Sequence, residues 1–202
     1  MAAIKANVKP LNQVDARMRE LPEVWWNFMM SETKRQACRM VVNFQEGIKK
    51  NNFQLERLKS ATIDKKYDKA YPAPNRPLYG LGETDVAFLN MLRIRKLKYG
   101  WKVAPSWAKH RESNLPLRAL LEIHEYGKSF VNAGGTVTRI PPRPAFRKAY
   151  ERTLKQQREV SGPEVRKKLN EFIRTGKKEY FEKAQQVAES DAIKIKSAFA
   201  NT

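Results

Sequence analysis

Apolar residues recur at helical spacing from about Leu21 to Asn51, and this long pattern constrains the fold more than any other part of the chain. It predicts a long amphipathic helix that ends near the Asn51-Asn52 pair. Pro22 suits the first turn of this helix, or a kink after a short helix over residues 14–20. The apolar face is wide, which favours burial on more than one side, including against another subunit. The face comprises Trp25, Trp26, Phe28, Met29, Met30, Ala37, Met40, Val41, Phe44 and Ile48.

The segment Met91–Val103 is predicted to form a β-hairpin, because apolar and basic residues alternate along it. The phase of the alternation slips between Arg95 and Lys96, which predicts a β-bulge. The Tyr99-Gly100 pair is the predicted turn. A further strand is predicted at Thr136–Ile140.

The remaining elements are predicted to be helices and loops. Gly127 is placed to end one helix, and Gly176 another. Prolines between residues 72 and 77 predict an extended loop, and Gly80 and Gly82 mark a turn. The predicted helices are one in the first half of Phe53–Pro77, Glu83–Asn90, Leu115–Tyr126, about fifteen residues from Pro144, Gly162–Gly176 and Lys178–Ala200.

These elements predict an α+β fold. A small antiparallel sheet packs against the long N-terminal helix and the helix after Pro144, followed by a helical C-terminal extension. The predicted core spans residues 1–160, and residues 161–202 are an extension of the same domain. Cys38 is the only cysteine, so no intrachain disulfide is possible, and its helical setting predicts a buried thiol.

The chain is strongly basic, with 40 Lys and Arg against 21 Asp and Glu and a formal charge of +19. This charge favours a polyanionic partner, either nucleic acid, an acidic protein surface or an anionic membrane. The basic residues are scattered along the chain, which is also an ordinary way to stay in solution. No apolar stretch approaches the length of a membrane span, so no membrane partner is expected.

Residues that carry enzyme chemistry are scarce, so the chain is not expected to be an enzyme or to bind a metal or cofactor. Its two histidines and one cysteine are too few and too far apart for a zinc site. No phosphate-binding glycine loop or nucleophile motif is present. His110 lies in a basic loop. A catalytic alternative would require a deep pocket lined by Glu122, His124 and Glu125.

The hairpin is the best candidate for contact with nucleic acid. Tyr99, Trp101 and Trp107 are interleaved with its basic residues and could stack on bases. The alternative is a solvated outer face with the aromatic residues packed on the other face. The basic residues concerned are Arg93, Arg95, Lys96, Lys98 and Lys102.

Two stretches in fixed order resemble the neck and tail-completion (virion morphogenesis) proteins of long-tailed bacteriophages. The first is Ile123-His124-Glu125-Tyr126-Gly127, and the second, after a loop, is Ile140-Pro141-Pro142-Arg143-Pro144-Ala145-Phe146-Arg147. The N-terminal helix ending in Phe44–Lys50, Pro77-Leu78 with the following hairpin, and the run Ala188–Phe199 also resemble this family. The chain departs from the family pattern at Leu81-Gly82, at Ala145, and in the longer loop Ser106–Asn114.

The resemblance implies a structural virion protein that forms a ring, as a hexamer or dodecamer, in the neck or at the head-proximal end of the tail. Residues 1–160 would form the ring, and its partners would be other copies and neighbouring neck, connector or tail-tube proteins, with genomic DNA in the channel as a further candidate. The alternative is a basic nucleic-acid-binding protein without a virion role. The residues expected to act in assembly are His124, Glu125, Gly127, Pro141, Pro142, Arg143, Pro144 and Phe146.

Arg143 is expected to be held rigidly, because prolines on both sides fix the backbone. A rigid guanidinium suits a bidentate contact with a carboxylate, within a subunit or across a ring interface. The alternative is an exposed arginine in a strand-to-helix connection. Gly127 is expected to let the chain turn sharply after the preceding helix.

Overall fold

The protein has the predicted α+β fold in a computed structural model that describes residues 9–80, 88–110, 113–131, 133–184, 186–188 and 190. Residues 179–184 are helical, and a π-helical turn, Gln157–Ser161, joins two of the named helices. The named elements are α1 (Lys9–Lys49), α2 (Ser60–Asp68), β1 (Leu92–Leu97), β2 (Gly100–Pro105), α3 (Leu117–Tyr126), β3 (Lys128–Val131), β4 (Val137–Ile140), α4 (Ala145–Gln156) and α5 (Gly162–Thr175).

Helix α1 is longer than predicted, since it begins at Lys9 and contains Pro22 in its interior. A proline at that place removes one backbone hydrogen bond, which an isolated helix tolerates poorly. Contacts from the C-terminal part of the chain hold this end of α1. Arg17 donates a 2.6 Å hydrogen bond to the Arg174 carbonyl, and Lys178 lies 2.5 Å from the Glu20 carboxylate.

Most of the apolar face of α1 is buried against two separate clusters, in line with the predicted burial on more than one side, whereas Trp26 and Met29, which were predicted to belong to this face, are exposed. The larger cluster gathers Val41, Phe44 and Ile48 with α3, α4, β1 and the segments on either side of α2. The smaller cluster is built on Phe28. Residues of the same chain therefore pack against both parts of this face. Cys38 is buried between the two clusters along α1, as expected.

The smaller cluster joins the C-terminal part of the chain to the N-terminal half of α1. The rings of Phe28 and Phe172 both pack edge-on against Phe181, with centroid distances of 5.2 and 5.7 Å. Phe172 is fully buried. Val165, Leu169 and Ile173 complete the inner face of α5.

Two antiparallel ribbons replace the single small sheet. In the first, β1 pairs with β2 in unbroken register from Leu92 opposite Pro105 to Leu97 opposite Gly100. The predicted bulge is therefore wrong, and the turn is Lys98-Tyr99, one residue earlier than predicted. The slip in hydrophobic phase arises because Leu97 is exposed at the strand end. The second ribbon pairs the predicted strand β4 with β3, which the sequence did not predict.

The helices after Pro144 form one continuous helical segment. A π-helical turn carries α4 into α5, whereas the sequence predicted a break before Gly162-Pro163. Pro163 lies in the first turn of α5, directly after the π-helical turn, and contributes no N–H to the helical hydrogen bonds there. The predicted boundary at residue 160 lies inside this segment. Gly176 ends α5 in the left-handed conformation, with φ of 75°, as predicted.

The predictions for the shorter helices and loops have mixed outcomes. The helix and the proline-rich loop expected within Phe53–Pro77 are confirmed as α2 and the irregular segment that follows it. Phe88–Asn90 forms a 3-10 turn, while Gly82, the rest of Glu83–Asn90 and residues 191–202 lie outside the described residues. Within the described ranges, no helix has both the length and the apolar character needed to cross a bilayer.

Candidate functional site

Glu125 connects the two stretches that carry the family resemblance. Its buried carboxylate accepts hydrogen bonds from the backbone N–H groups of Phe146, at 3.2 Å, and Arg147, at 3.0 Å. These donors lie in the first turn of α4 and have no partner within the helix. Burial raises the pKa of Glu125, while the two hydrogen bonds act in the opposite direction. Glu125 thus caps α4 from the end of α3.

Gly127 allows the two stretches to approach closely. It ends α3 with φ of 74°, a conformation that residues with a side chain rarely adopt. A Cβ atom at this position would lie 2.9 Å from the Ile140 carbonyl oxygen and 3.1 Å from the Pro142 ring. The sharp turn predicted at Gly127 is confirmed, and the close approach of β4 provides a second requirement for glycine.

Within the chain, Arg143 occupies neither environment that the sequence offered, and a contact across a ring interface stays a prediction. It is buried, with 7% of its surface exposed, so the exposed connector is wrong. Its guanidinium donates from Nε to the Glu56 carbonyl at 3.1 Å and from Nη2 to the Arg57 carbonyl at 3.5 Å, and not to a carboxylate. Its backbone N–H donates to the carbonyl of His124. Arg143 therefore ties the segment before α2 to the end of α3.

His124 is a largely buried, neutral imidazole. Its ring packs edge-on against Phe88 at 5.3 Å, and its Nδ1 is buried without a hydrogen-bond partner among the described residues. Burial, together with the positive charge of Arg143, lowers the pKa of His124 to about 4.

The pocket that an enzyme would require at His124 is not formed by the three residues named for it. Glu122 is exposed and bonds to Arg118 at 3.1 Å on the surface of α3, and Glu125 is used at α4. The absence of enzyme activity stays a prediction.

A cleft of about 850 Å³ lies beside His124. Its walls come from the segment before α2, the loop after α2, the exposed side of α3, and β4 with the prolines that follow it. Pro141 and Pro142 line this cleft, whereas Pro144 lies just before α4 and Phe146 packs against the larger hydrophobic cluster. The lining includes Glu56, Arg57, Lys59, Lys66, Leu78, Phe88, Leu120, His124, Arg139 and Arg143.

The ribbon formed by β3 and β4 exposes three large apolar side chains, Phe130, Val131 and Val137. All four residues of β3 are exposed. Val131 and Val137 are direct cross-strand partners, so their side chains share one face of the ribbon, and they are 66% and 67% exposed. Tyr126, just before the ribbon, is also exposed, with the Arg147 guanidinium 6.0 Å from its ring centre.

The predicted basic set on the first hairpin is divided between its two faces. Arg95 and Lys102 are cross-strand partners, and both are exposed on the outer face. Arg93 shares this face but donates to a neighbouring backbone carbonyl at 3.3 Å. Lys96 belongs to the opposite face, and Lys98 lies in the turn, since side chains alternate along a strand.

The three aromatic residues that were predicted to stack on bases also differ in their surroundings. Trp101 is fixed to α1, because its Nε1 donates a 3.1 Å hydrogen bond to the Met30 carbonyl. Tyr99 and Trp107 are 72% and 78% exposed. The Arg95 guanidinium lies 5.8 Å from the centre of the Trp107 ring, so a cation and an aromatic plane stand together on the outer face.

Comparison with protein-family models, curated proteins and solved structures finds no match to this chain. Among the described residues, no group of three or more His, Cys, Asp and Glu side chains is placed to hold a metal ion. The candidate sites are therefore the apolar ribbon, the basic cleft and the outer face of the first hairpin. Sequence patterns indicated only the hairpin, because β3 is exposed along its whole length and the cleft depends on contacts between distant segments.

Proposed function

We propose that this protein is a structural component of a tailed-phage virion that forms a ring in the neck or at the head-proximal end of the tail and completes head–tail joining. The resemblance of residues 123–127 and 140–147 to neck and tail-completion proteins motivates the proposal. The observation that carries it is the exposed apolar ribbon β3–β4, which lies between those two stretches. A surface of this kind fits a protein that works in contact with other subunits.

The ribbon has the properties of an assembly surface. A two-stranded ribbon is only marginally stable in water, and exposed apolar side chains such as Val131 and Val137 add a cost unless a partner covers them. Among the described residues, no further strand pairs with its outer edges, so a neighbouring chain can approach them. If the ribbon of one copy contacts a different surface on the next, rotation about an axis closes the copies into a ring.

The unit formed by α3, the ribbon and α4 gives this surface a fixed base. Glu125 and Arg143 fasten the two ends of the ribbon to α4 and to the segment before α2. A ribbon anchored at both ends loses less conformational entropy on binding than a free loop does. Such an anchored ribbon suits a role in which subunits must meet in one geometry.

The proposal is tested by replacing the exposed valine pair in a phage whose own copy of the gene is deleted and supplied from a plasmid. Val131→Glu with Val137→Lys removes apolar surface, keeps the net charge and places opposite charges across the ribbon. We expect the double variant to remain folded and to lower the infectious titre by about 100-fold or more, since a buried interface anchor is worth at least ~2 kcal/mol per copy. Unjoined heads and tails should accumulate in electron micrographs.

The matched control exchanges two other exposed valines, Val160→Glu with Val187→Lys, which are 63% and 47% exposed. This control should retain a titre within a few fold of wild type. A normal titre with the ribbon variant, in virions that contain it, would exclude the ribbon as an assembly surface.

A second candidate function is nucleic-acid binding without a virion role, favoured by the stack of Arg95 on Trp107 beside Lys102. Single-stranded DNA should then bind with an affinity that falls with salt, by a slope of about 0.7 for each neutralised phosphate. Arg95→Ala with Lys102→Ala should weaken DNA binding and lower the slope of its salt dependence. Arg166→Ala with Lys167→Ala, on the outside of α5, should have a smaller effect on both. Equal losses of DNA affinity in the two double variants would indicate only the general effect of net charge.

A further inference from the structure

The cleft beside His124 combines positive charge with apolar walls. Five of its lining residues are Lys or Arg, and Glu56 is the single Asp or Glu among the described residues that line it. Arg57, Lys59 and Arg139 are exposed around its rim, while Lys66 and Arg143 lie deeper. Leu78, Phe88, Leu120, Ile140 and the prolines Pro141 and Pro142 supply the apolar surface.

The deeper cations are held in place by backbone groups, which do not neutralise their charge. Lys66 donates from Nζ to the carbonyls of Arg76 at 2.8 Å and Tyr79 at 3.4 Å, and Arg143 donates to the carbonyls of Glu56 and Arg57. Burial, and next the charge of Arg143, lower the pKa of Lys66 to about 8. Two like charges in a partly desolvated cleft leave a favourable place for an anion.

We propose that this cleft binds an acidic, partly apolar peptide segment of a partner protein. Carboxylates of the segment would lie between the deep cations and the rim, and its apolar side chains would pack against Leu120, Ile140 and Pro142. The volume of about 850 Å³ lies within the range of specific ligand sites. This inference rests on the proposed function for the identity of the partner, which would be a neighbouring virion protein.

The apolar walls favour a peptide over nucleic acid. Sites for single-stranded nucleic acid present cations along an open groove, with flat aromatic rings on which bases stack. Here the wall groups are mainly aliphatic side chains and proline rings, and Phe88 is 6% exposed and packed against His124. Aliphatic walls suit leucine side chains, and deep cations suit Glu or Asp, so the cleft fits a peptide in which these residues are neighbours.

The test uses the full chain and a fluorescein-labelled peptide that repeats Glu-Leu-Asp-Gly, with fluorescence anisotropy as the measurement. A neutral peptide repeating Gln-Leu-Asn-Gly and a labelled oligothymidylate of equal length serve as comparison probes. The cleft variant is Lys59→Glu with Arg139→Glu, because both residues are exposed at the rim and neither makes a described side-chain contact. A carboxylate at residue 59 also lies favourably near the first turn of α2.

The matched control is Lys65→Glu with Arg166→Glu, which makes the same change in net charge on exposed sites outside the cleft. We expect the acidic peptide to bind wild type, to bind the control within a few fold of wild type, and to lose about tenfold in affinity for the cleft variant, a change of ~1.4 kcal/mol. The neutral peptide should not bind. Thermal unfolding should show both variants folded.

Equal losses in the cleft variant and the control would overturn the proposal, because binding would then reflect only the overall charge. Failure of the acidic peptide to bind wild type would also overturn it, as would an oligothymidylate that binds more tightly than the peptide and depends on the same rim residues. These results are independent of infection, so failure of peptide binding leaves the head–tail role to be judged by the titre of the ribbon variant.

Discussion

At the scale of single residues, the packing around Arg143 and Glu125 depends on polar groups whose partners are far away in sequence. The sequence singled out Arg143 as a rigidly held residue, but its hydrogen-bond partner, the Glu56 carbonyl, is 87 residues away. No local pattern indicates that contact. Glu125 was named for assembly, and that role stays a prediction, while its function as a cap of α4 became visible only when α3 and α4 were placed together.

The buried imidazole of His124 predicts a specific loss of stability in acid. An unfolded histidine has a pKa near 6.5, whereas the pKa of His124 is about 4 in the folded protein. The unfolded chain therefore binds a proton first, and the free energy of unfolding should fall by about 2 kcal/mol between pH 7 and pH 5 through this residue. Urea unfolding of His124→Gln should lack this part of the decrease.

The difference between the pH curves of wild type and His124→Gln removes the contributions of other titrating groups, including Glu125, because both proteins contain them. His110→Gln is the control, because it removes the other histidine and should leave the pH dependence close to that of wild type. Parallel pH curves for His124→Gln and wild type would show that the imidazole does not remain neutral in the folded protein.

The cap formed by Glu125 predicts a second residue-scale effect. Glu125→Ala leaves the N–H groups of Phe146 and Arg147 without their acceptor, and it should lower the free energy of unfolding by about 1–3 kcal/mol. Glu122→Ala, which removes an exposed carboxylate three residues away, should cost less than about 1 kcal/mol. Urea unfolding at pH 7 measures the free energy of unfolding of both variants. Equal decreases in the two would contradict the capping role of Glu125.

At the scale of elements, periodicity identified those with one buried face and missed those without. The first hairpin and α3 have clear alternation or helical spacing, and both are present. Strand β3 was not predicted because all of its residues are exposed, so it has no hydrophobic alternation to detect. The N-terminal extension of α1 was underestimated because contacts with Arg174 and Lys178, near the other end of the chain, hold it.

The aromatic cluster around Phe28 predicts that α5 and the helical residues after it belong to the same cooperative unit as α1. Phe172→Ala, at a fully buried position, should lower the free energy of unfolding by about 3–5 kcal/mol. Val160→Ala, at a position 63% exposed, should change it by about 0.5 kcal/mol or less. Circular dichroism and tryptophan fluorescence should report one shared transition. A separate early transition for Phe172→Ala would show that the C-terminal part unfolds on its own.

At the scale of the whole molecule, the protein presents three surfaces around a scaffold centred on α1. The ribbon β3–β4 is apolar and exposed, the cleft is basic with apolar walls, and the outer face of the first hairpin is basic with exposed aromatics. A formal charge of +19 suits neighbours that carry negative charge, whether these are acidic protein rings or DNA in a channel. Composition alone predicted the sign of the partner's charge and sequence patterns indicated the hairpin, while the locations of the ribbon and the cleft required the fold.

Electron microscopy of a lysate from a phage lacking this gene tests the central claim most directly. Under the proposed function, the protein acts after heads and tails have formed separately. We therefore predict full heads and separate tails, or tails of irregular length, with infectivity restored by the gene on a plasmid. Normal, infectious, fully joined particles without the protein would contradict a role in head–tail joining.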